Sequence, residues 1–525
     1  MKRFLFFIFY FLFVLLVQAQ TPFERYYTFG TWTTGLQVLE LPGEGFIVLG
    51  INDSLSFDSL SQPYMDFNQG IVVKLDYNGN IIKSVQVGNG DTAFMQLYGA
   101  SSDDFFRTGF ITADTCIYIA GETQSYNADS FYDYDLWLLK FNKNLDLITM
   151  NNFSVPDTSF GIGFATGKKI HNEGIVLPGF QDYHGQVRNS QFMLSTFDSS
   201  CQLIFHQRML TQYKGLFLGV CEVENHQFAG VGYIINNVAN NDLSPIVVKT
   251  DSLGNVLWYR ILPYSGDIDL ALDILYTNDG NYVFNWSTVE LAPGATHKVW
   301  IDHLTKIDTA GNELWSKSYG YSFDQGQRIK ELSNGNLMMV GRSTDTISFD
   351  SKALLRICDH DGNFIREKTF TGPGSALLVC NDGIATSDGG FILTGETYCC
   401  NFTPNIGWTS SVWLFKTDSL GLFTSVINLP KPLLSLASMS IPFPNPCKDY
   451  CTITTIIPPE SESLIGEKGS FLLLFDLLGK QLQKIEVTIG LNQTMIDLSK
   501  YAAGQYVIAL SVEGFNAGTK KIIKE

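Results

Sequence analysis

The chain has 525 residues, of which 45% are hydrophobic and 13% aromatic, so it can bury a large core and is not a disordered protein. Its 52 Asp and Glu outnumber 35 Lys and Arg, which gives a net charge of -17. This acidity disfavours nucleic acid and anionic lipid as partners, because both repel negative charge.

The opening stretch, MKRFLFFIFYFLFVLLVQAQ, has the pattern of a secretory signal peptide: two basic residues, an apolar run from Phe4 to Val17 and a small residue at the cut. We predict a signal peptide over residues 1–19, cleaved between Ala19 and Gln20. The alternative is a retained membrane anchor, but the apolar run is short for a bilayer span. We therefore expect an exported chain without a transmembrane segment after cleavage.

Residues 20–428 contain seven copies of a repeat, of which KTDSLGNVLW from Lys249 is one example. The aligned anchor positions lie 51 to 66 residues apart, at Asp76, Asn142, Asp198, Asp251, Asp308, Asp359 and Asp418. An apolar run such as EGFIVLG precedes each anchor, and these runs end at Gly50, Gly121, Gly179, Gly232, Asn285, Gly341 and Gly395. Such short β-branched and aromatic runs between Asp-Gly and Asn-Gly turns predict strands.

Four strands per repeat of this length are typical of a β-propeller blade, so we predict an all-β fold with a seven-bladed β-propeller. The stretch PFERYYTFG from Pro22 matches the last strand of a repeat without its preceding partners. We expect this strand to complete the last blade and close the ring, which removes open sheet edges. The alternative is an open solenoid of the same repeats.

The repeat motifs do not match a known catalytic or cofactor site. Asp and Asn before Gly favour hairpin turns, and the acidic turns lack the twelfth-position ligand of a calcium loop. The residue spacing within the repeat motifs differs from the spacing in the sequence boxes of sialidases and in the cofactor-docking turns of quinoproteins. The seven histidines (171, 184, 206, 226, 297, 303 and 360) form no metal motif. We predict no cofactor and no metal.

The nine cysteines leave the disulfide pattern open. In an oxidising compartment, Cys447 and Cys451, which are four residues apart, are the preferred local pair. Scattered buried or free thiols are an equally good interpretation.

The variable segments of the repeats, at 51–69, 122–135, 180–190, 286–299 and 396–411, all fall between the Gly-ending strand and the Lys-x-Asp strand. Strand order places them on one face of the predicted disc. They carry aromatic residues among Asp, Asn and Ser, a mixture that suits a surface glycan or a protein ligand. The candidate ligand-face residues are Tyr64, Phe67, Tyr126, Tyr132, Trp286 and Trp408. The alternative is that these loops pack on themselves.

A proline-rich stretch predicts a linker over residues 429–441, followed by a small separate unit over 442–525. That unit contains PFPNP, LFDLLGKQL, DLSKYAAGQYVIAL and a terminal GTKKIIKE, in this order. It resembles the type A C-terminal sorting domain of the type IX secretion system of Bacteroidetes. The motif positions are Pro444, Asn445, Pro446, Gly479, Lys480, Gly504, Tyr506, Lys520 and Lys521.

The resemblance implies an Ig-like β-sandwich that is recognised by the type IX secretion machinery, then removed by its sortase, with the remainder attached to the cell surface or released. Two features depart from the family pattern: Cys447 follows the second proline, and PPESESLIGEKGS looks like an inserted loop. The leading hypothesis is a secreted or surface-displayed binding or adhesion module. The alternatives are a propeller enzyme that degrades glycan or peptide with carboxylates from different blades, and a structural envelope component.

Overall fold

The computed structural model describes residues 22–29, 32–57, 63–88, 103–125, 134–154, 159–162, 165–182, 190–237, 242–262, 268–291, 298–319, 325–344, 351–372, 377–403, 407–422, 438–457, 470–476, 480–488, 490–512 and 515–525. These ranges are β-strand, turn and irregular structure, apart from one 3₁₀ turn at Glu224–His226. Within them, no helix is both long and apolar enough to cross a membrane. The predicted cleavage site at Ala19 and Gln20 lies outside them.

Within the described ranges, the strands up to residue 417 form seven antiparallel sheets, numbered in chain order. Before sheet 1 comes β1 (Phe23–Tyr27). Sheet 1 contains β2 (Trp32–Leu41), β3 (Gly45–Phe57), β4 (Pro63–Leu75) and β5 (Ile81–Val87). Sheet 2 contains β6 (Asp104–Ile111), β7 (Ile117–Thr123), β8 (Asp135–Phe141) and β9 (Leu147–Phe153). Sheet 3 contains β10 (Ser159–Gly161), β11 (Lys168–Lys169), β12 (Ile175–Asp182), β13 (Gln191–Phe197) and β14 (Leu203–Met209).

The remaining four sheets repeat this order. Sheet 4 contains β15 (Gly215–Glu222), β16 (Phe228–Asn237), β17 (Asp242–Thr250) and β18 (Val256–Ile261). Sheet 5 contains β19 (Leu270–Tyr276), β20 (Tyr282–Leu291), β21 (Lys298–Ile307) and β22 (Glu313–Tyr319). Sheet 6 contains β23 (Gln325–Glu331), β24 (Leu337–Thr344), β25 (Ser351–Cys358) and β26 (Phe364–Phe370). Sheet 7 contains β27 (Leu377–Ala385), β28 (Phe391–Thr403) and β29 (Gly407–Thr417).

Sheet 7 takes its fourth strand from the other end of the chain. Strand β1 pairs antiparallel with β29, so that Phe23 lies opposite Lys416 and Tyr27 opposite Val412. Phe23 and Tyr27 also enter a hydrophobic cluster with Val38 of sheet 1. The expectation that the N-terminal strand completes the last sheet is confirmed, and β29 is left without an open edge.

Neighbouring sheets pack face to face through hydrophobic clusters that each draw on two successive sheets. One cluster, for example, joins Leu138 of sheet 2 to Leu177 of sheet 3, and another joins Phe415 of sheet 7 to Leu355 of sheet 6. The first strands of successive sheets also touch, and β27 touches β2. Repeated antiparallel sheets of four strands, or five in sheet 3, make the fold in this arrangement a β-propeller, as predicted.

In sheets 1, 2, 4, 6 and 7, the glycine that ends the apolar run lies opposite a β-bulge in the first strand of its sheet. The register shifts after Gly35 in β2 and after Cys380 in β27. A Cβ atom at Gly50 would come within 2.1 Å of the Thr34 carbonyl oxygen, and one at Gly395 within 1.8 Å of the Val379 carbonyl oxygen. The motif requires glycine because the bulge pushes a carbonyl into the space of a side chain.

The C-terminal unit consists of two sheets that share one core. One sheet has the order β30 (Ser438–Met439), β31 (Tyr450–Ile457) and β34 (Gly490–Asp497). The other has the order β33 (Gln481–Glu486), β32 (Ser470–Asp476), β35 (Gly504–Val512) and β36 (Phe515–Lys524). Ile453 and Ile496 of the first sheet pack with Leu472 and Ile508 of the second. The first strand, β30, begins within the stretch that the sequence assigns to the linker.

Candidate functional site

The propeller has two faces with different construction. In sheets 1 to 6, the turn between the first and second strands lies at the same end as the turn between the third and fourth strands, and in sheet 7 the turn that follows β29 lies at that end. We call this end the turn face. The opposite end, which carries the connection between the second and third strands, is called the hairpin face.

On the turn face, the Asp251 carboxylate organises the turn that joins β17 to β18. Its Oδ1 accepts the backbone N–H groups of Leu253 and Asn255, both at 2.9 Å, and its Oδ2 accepts Nδ2 of Asn255 at 2.9 Å. These hydrogen bonds hold the pKa of Asp251 below its usual range, and the bond from the Asn255 side chain contributes most to that shift. Gly254 supplies the left-handed residue of the turn, with φ +83°.

All seven anchor side chains accept backbone N–H groups from the residues two and four positions later. They are Asp76, Asn142, Asp198, Asp251, Asp308, Asp359 and Asp418. The interpretation of these positions as hairpin turns is confirmed. Trp258 then reaches the next sheet, where its Nε1 donates to the Thr309 carbonyl at 3.3 Å and its ring lies against Gly311.

The lysine two residues before the anchor fastens one sheet to the next. Lys249 Nζ forms an ion pair with Glu224 of its own sheet and donates to the Thr309 carbonyl of sheet 5 at 3.4 Å. Lys306 Nζ lies 2.5 Å from Asp279 and donates to the His360 carbonyl of sheet 6 at 3.5 Å. The polar residues of the turn face are therefore largely engaged in structural contacts.

Polar side chains that follow the bulges of the first strands brace neighbouring sheets in a similar way. Asp273 Oδ2 accepts the Ile329 N–H at 3.1 Å, and Asp382 Oδ2 accepts the Val38 N–H at 3.1 Å. Lys168 Nζ lies 3.0 Å from Asp273 Oδ1. Burial lowers the pKa of Lys168, and the negative charge of Asp273 opposes that shift. Both carboxylates are thus held by bonds between sheets.

On the hairpin face, three described pairs of middle strands extend past the first strand of their sheet by four or five residues, in sheets 1, 5 and 7. Strand β3 loses its partner β2 after Asp53 but stays paired with β4 as far as Phe57. In sheet 7, β28 passes its last β27 partner at Tyr398 and stays paired with β29 as far as Thr403. In sheet 5, β20 passes Ser287 and stays paired with β21 as far as Leu291. At about 3.4 Å per residue, these overhangs are about 13–17 Å long.

Three of the six predicted ligand-face aromatic residues lie on or next to these overhangs. Tyr64 lies on β4 opposite Ser56, and Phe67 lies opposite Ser54; Trp408 lies on β29. The side chains of these three residues are outside the description, and Tyr126 and Tyr132 lie outside the described residues altogether.

Trp286 does not lie in a loop as predicted. It lies in β20, half-buried, where its Nε1 donates to Thr305 Oγ1 at 2.9 Å and its ring stacks on His303 with centroids 4.2 Å apart. The predicted loop boundaries 51–69, 286–299 and 396–411 were wrong, because the middle strands continue to pair with each other beyond their sheets.

In the C-terminal unit, Asn445 fastens the PFPNP motif to the last strand. Its Nδ2 donates to the Lys521 carbonyl at 2.8 Å, and its Oδ1 accepts the Ile523 N–H at 2.8 Å. The peptide bonds before Pro444 and Pro446 are both cis. The first and last motifs of the unit, which are about eighty residues apart in sequence, are therefore in direct contact.

The other motif residues have structural positions in the same unit. Lys480 donates its N–H to Asp476 Oδ1 at 2.9 Å, and the buried Tyr506 donates its hydroxyl to the Ala502 carbonyl at 2.6 Å. Gly504 begins β35, while Lys520 and Lys521 lie on β36 opposite Ile508 and Val507. Gly479 lies outside the described residues. Cys447 and Cys451 are free thiols in the shared core, and burial raises the pKa of Cys451 to about 12.

One side-chain cluster was missed by the sequence analysis. His171 of sheet 3 and His226 of sheet 4 both approach Glu222, at the boundary between the two sheets. The histidines are far apart in the chain and belong to no motif, so only the contact between sheets could have revealed them.

The C-terminal unit decides how this chain is delivered. Residues 442–525 match the secretion system C-terminal sorting domain. The sorting domain indicates delivery by the type IX secretion system, so the protein is secreted or displayed at the cell surface.

No curated protein matches the sequence. Among solved structures, the chain is similar to a Penicillium chrysogenum alpha-L-arabinanase complexed with arabinobiose, at 11% identity over 60% of this chain and 93% of that one, with a TM-score of 0.39. It is also similar to Drosophila Semaphorin 1a, extracellular domains 1-2, at 6% identity over 75% and 88% of the two chains, with a TM-score of 0.41. A third is the endo-arabinase from Bacteroides thetaiotaomicron, at 10% identity over 50% and 93%, with a TM-score of 0.30. Similarity this low carries no information on ligand or activity.

Proposed function

We propose that this protein is a binding or adhesion module, exported through its sorting domain, whose hairpin face binds a surface glycan or a protein ligand. The observation that carries the proposal is the difference between the two faces. The turn face is built of short turns held by buried lysines and anchor carboxylates. The hairpin face presents three extended hairpins, and two of them belong to sheets 7 and 1, which are neighbours.

The binding hypothesis is better supported than the enzyme hypothesis. A glycosidase needs two carboxyl groups about 5–10 Å apart that act on the substrate. Asp273 and Asp382, next to the bulges of the first strands, instead accept backbone N–H groups from adjacent sheets, and Lys168 pairs with Asp273. Moving either carboxylate to a substrate would break a contact between sheets.

The positions of aromatic residues favour recognition on the overhangs. Tyr64 and Phe67 lie on the β3–β4 hairpin, and Trp408 lies on the β28–β29 hairpin. Aromatic rings bury a large area at a small cost in conformational entropy, and they stack on the apolar faces of sugars. Placed on adjacent hairpins, they would contribute to a single binding surface.

The proposal includes the organisation of the whole chain. A signal peptide over residues 1–19 is cleaved before Gln20, the seven sheets of residues 20–428 form one seven-bladed ring, and residues 429–441 link it to an Ig-like sorting domain over 442–525. The partners are the type IX secretion machinery of a Bacteroidetes cell and its sortase.

The experiment compares binding by the full chain and by two variants with shortened hairpins. One replaces residues 55–66 with Asn-Gly and the other replaces 400–408 with Asn-Gly, since Asn-Gly favours a two-residue hairpin turn. The control is Asp361→Ala on the turn face. On glycan arrays and whole cells, we expect binding by the wild type and the control and its loss in both shortened variants. Unchanged binding in both shortened variants, or hydrolysis of a bound glycan by the wild type, would overturn the proposal.

A further inference from the structure

The boundary between sheets 3 and 4 carries, on the turn face, a cluster of three side chains of the types that bind metal ions. His171 lies in the turn between β11 and β12, Glu222 ends β15, and His226 lies in the turn between β15 and β16. His171 Nδ1 lies 2.5 Å from Glu222 Oε1, and His226 Nδ1 lies 2.9 Å from the same oxygen. All three ligand atoms are within 4.8 Å of one another.

The carboxylate at the centre of this cluster is fixed in place. Glu222 Oε2 accepts the backbone N–H of His171 at 2.7 Å, and only 14% of the side chain is exposed. This bond leaves Oε1 directed at both imidazoles. A ligand that is already oriented loses little freedom when a metal ion binds, which favours affinity.

The backbone also brings His226 to the cluster at a conformational cost. Asn225 and His226 have φ of 56° and 58°, in the left-handed region. At the position of His226, the corresponding turns of sheets 5, 6 and 7 have glycine, whereas those of sheets 2 and 3 have Thr115 and Glu173, also with positive φ. An imidazole in place of glycine is strained unless its side chain gains an interaction there.

We propose that His171, Glu222 and His226 bind one Zn²⁺ ion and thereby join sheet 3 to sheet 4. Two imidazole nitrogens and one carboxylate oxygen are a ligand set that zinc favours, whereas Ca²⁺ and Mg²⁺ prefer oxygen ligands. The two imidazoles are exposed, with ring centroids 3.6 Å apart, so water completes the coordination. Cys221 is buried in the core cluster between sheets 4 and 5 and is not part of the group formed by the three ligand side chains.

The test uses the full chain after signal removal, purified with a tag that contains no histidine and stripped of metal by a chelator. Zn²⁺ binding is measured by isothermal titration, in the presence and absence of excess Mg²⁺. We expect one Zn²⁺ per chain with no competition from Mg²⁺, and affinity at least about tenfold weaker in His171→Ala, His226→Ala and Glu222→Gln. The matched control is His360→Ala, an exposed histidine 3.2 Å from the Asp361 carboxylate that has no second imidazole in its described surroundings.

A second measurement checks that the metal joins the sheets. Zn²⁺ should raise the Tm of the wild type and of His360→Ala, because a ligand that binds only the folded state stabilises it. At a Zn²⁺ concentration near the wild-type Kd, it should raise the Tm of His226→Ala much less. Wild-type affinity in His226→Ala, no measurable Zn²⁺ binding by the wild type, or binding without any rise in Tm would overturn the proposal. The result is independent of the ligand of the hairpin face.

Discussion

The turn-face lysines provide a graded test of how this propeller is held together. Lys416 is fully buried, and its Nζ lies 3.0 Å from both oxygens of Asp388, whose side chain is 4% exposed. Substituting Lys416→Met leaves the Asp388 charge buried without its cation, which costs about 3–5 kcal/mol. Asp388 still accepts hydrogen bonds from Thr386 Oγ1 at 2.5 Å and from the Gly390 N–H at 3.1 Å. Because these bonds partly compensate the charge, we expect the free energy of unfolding to fall by about 3 kcal/mol, the lower end of that range.

Lys140→Met is the matched control for this substitution. Lys140 occupies the same position in sheet 2, but its partner Asp114 is 63% exposed and 3.5 Å away. A solvent-exposed pair contributes about 0–1 kcal/mol. Equilibrium unfolding in urea gives the loss in free energy of unfolding for each variant. The double variant Lys416→Met with Asp388→Asn should recover much of the stability, because it also removes the buried charge of Asp388. Equal losses for Lys416→Met and Lys140→Met would refute the account of the buried pair.

Three further predictions concern export, pH and closure. Asn445→Ala removes both hydrogen bonds between the PFPNP motif and β36, which should lower the stability of the sorting domain by about 1–3 kcal/mol. Surface delivery, measured by protease accessibility on intact cells, should therefore fall. The control Asn492→Ala removes only local hydrogen bonds within Thr488–Asn492 and should not reduce delivery. Burial, aided by the charge of Arg208, lowers the pKa of His206 from 6.5 to about 4, so the unfolded state takes up a proton first and the free energy of unfolding falls as pH drops from 6.5 to 4. In urea titrations across that pH range, the free energy of unfolding of His206→Gln should fall less than that of the wild type. Identical pH profiles for the two proteins would contradict this. Deleting Phe23–Tyr27 exposes the edge of β29, and size-exclusion chromatography should show aggregation; a monodisperse product would mean that β1 does not close the ring.

Local patterns were sufficient to predict the propeller and its turns. The anchor at Asp251 and the glycine at 254 use only neighbouring backbone groups, so their roles could be recognised from the repeat alone. The N-terminal strand was recognisable for the same reason, since it repeats the last strand of the other sheets.

Contacts between sheets could not be predicted from the sequence. The bonds from Asp382 to the Val38 N–H and from Lys249 to the Thr309 carbonyl join residues on different repeats, and no spacing marks them. The same holds for His171 and His226, which the sequence leaves as scattered histidines. The strand extension that places Trp286 in β20 was missed because its polar residues resemble a loop.

Hydrogen–deuterium exchange footprinting of the full chain with a ligand identified on arrays or cells tests the central claim most directly. The account predicts that protection on ligand binding is confined to the overhanging hairpins, at residues 54–67, 288–300 and 399–409. Peptides that cover the turns at 76–80 and 251–255 should exchange as in the free protein. Protection at those turns, or around Asp273 and Asp382, with unchanged exchange in the hairpins, would contradict the assignment of recognition to the hairpin face.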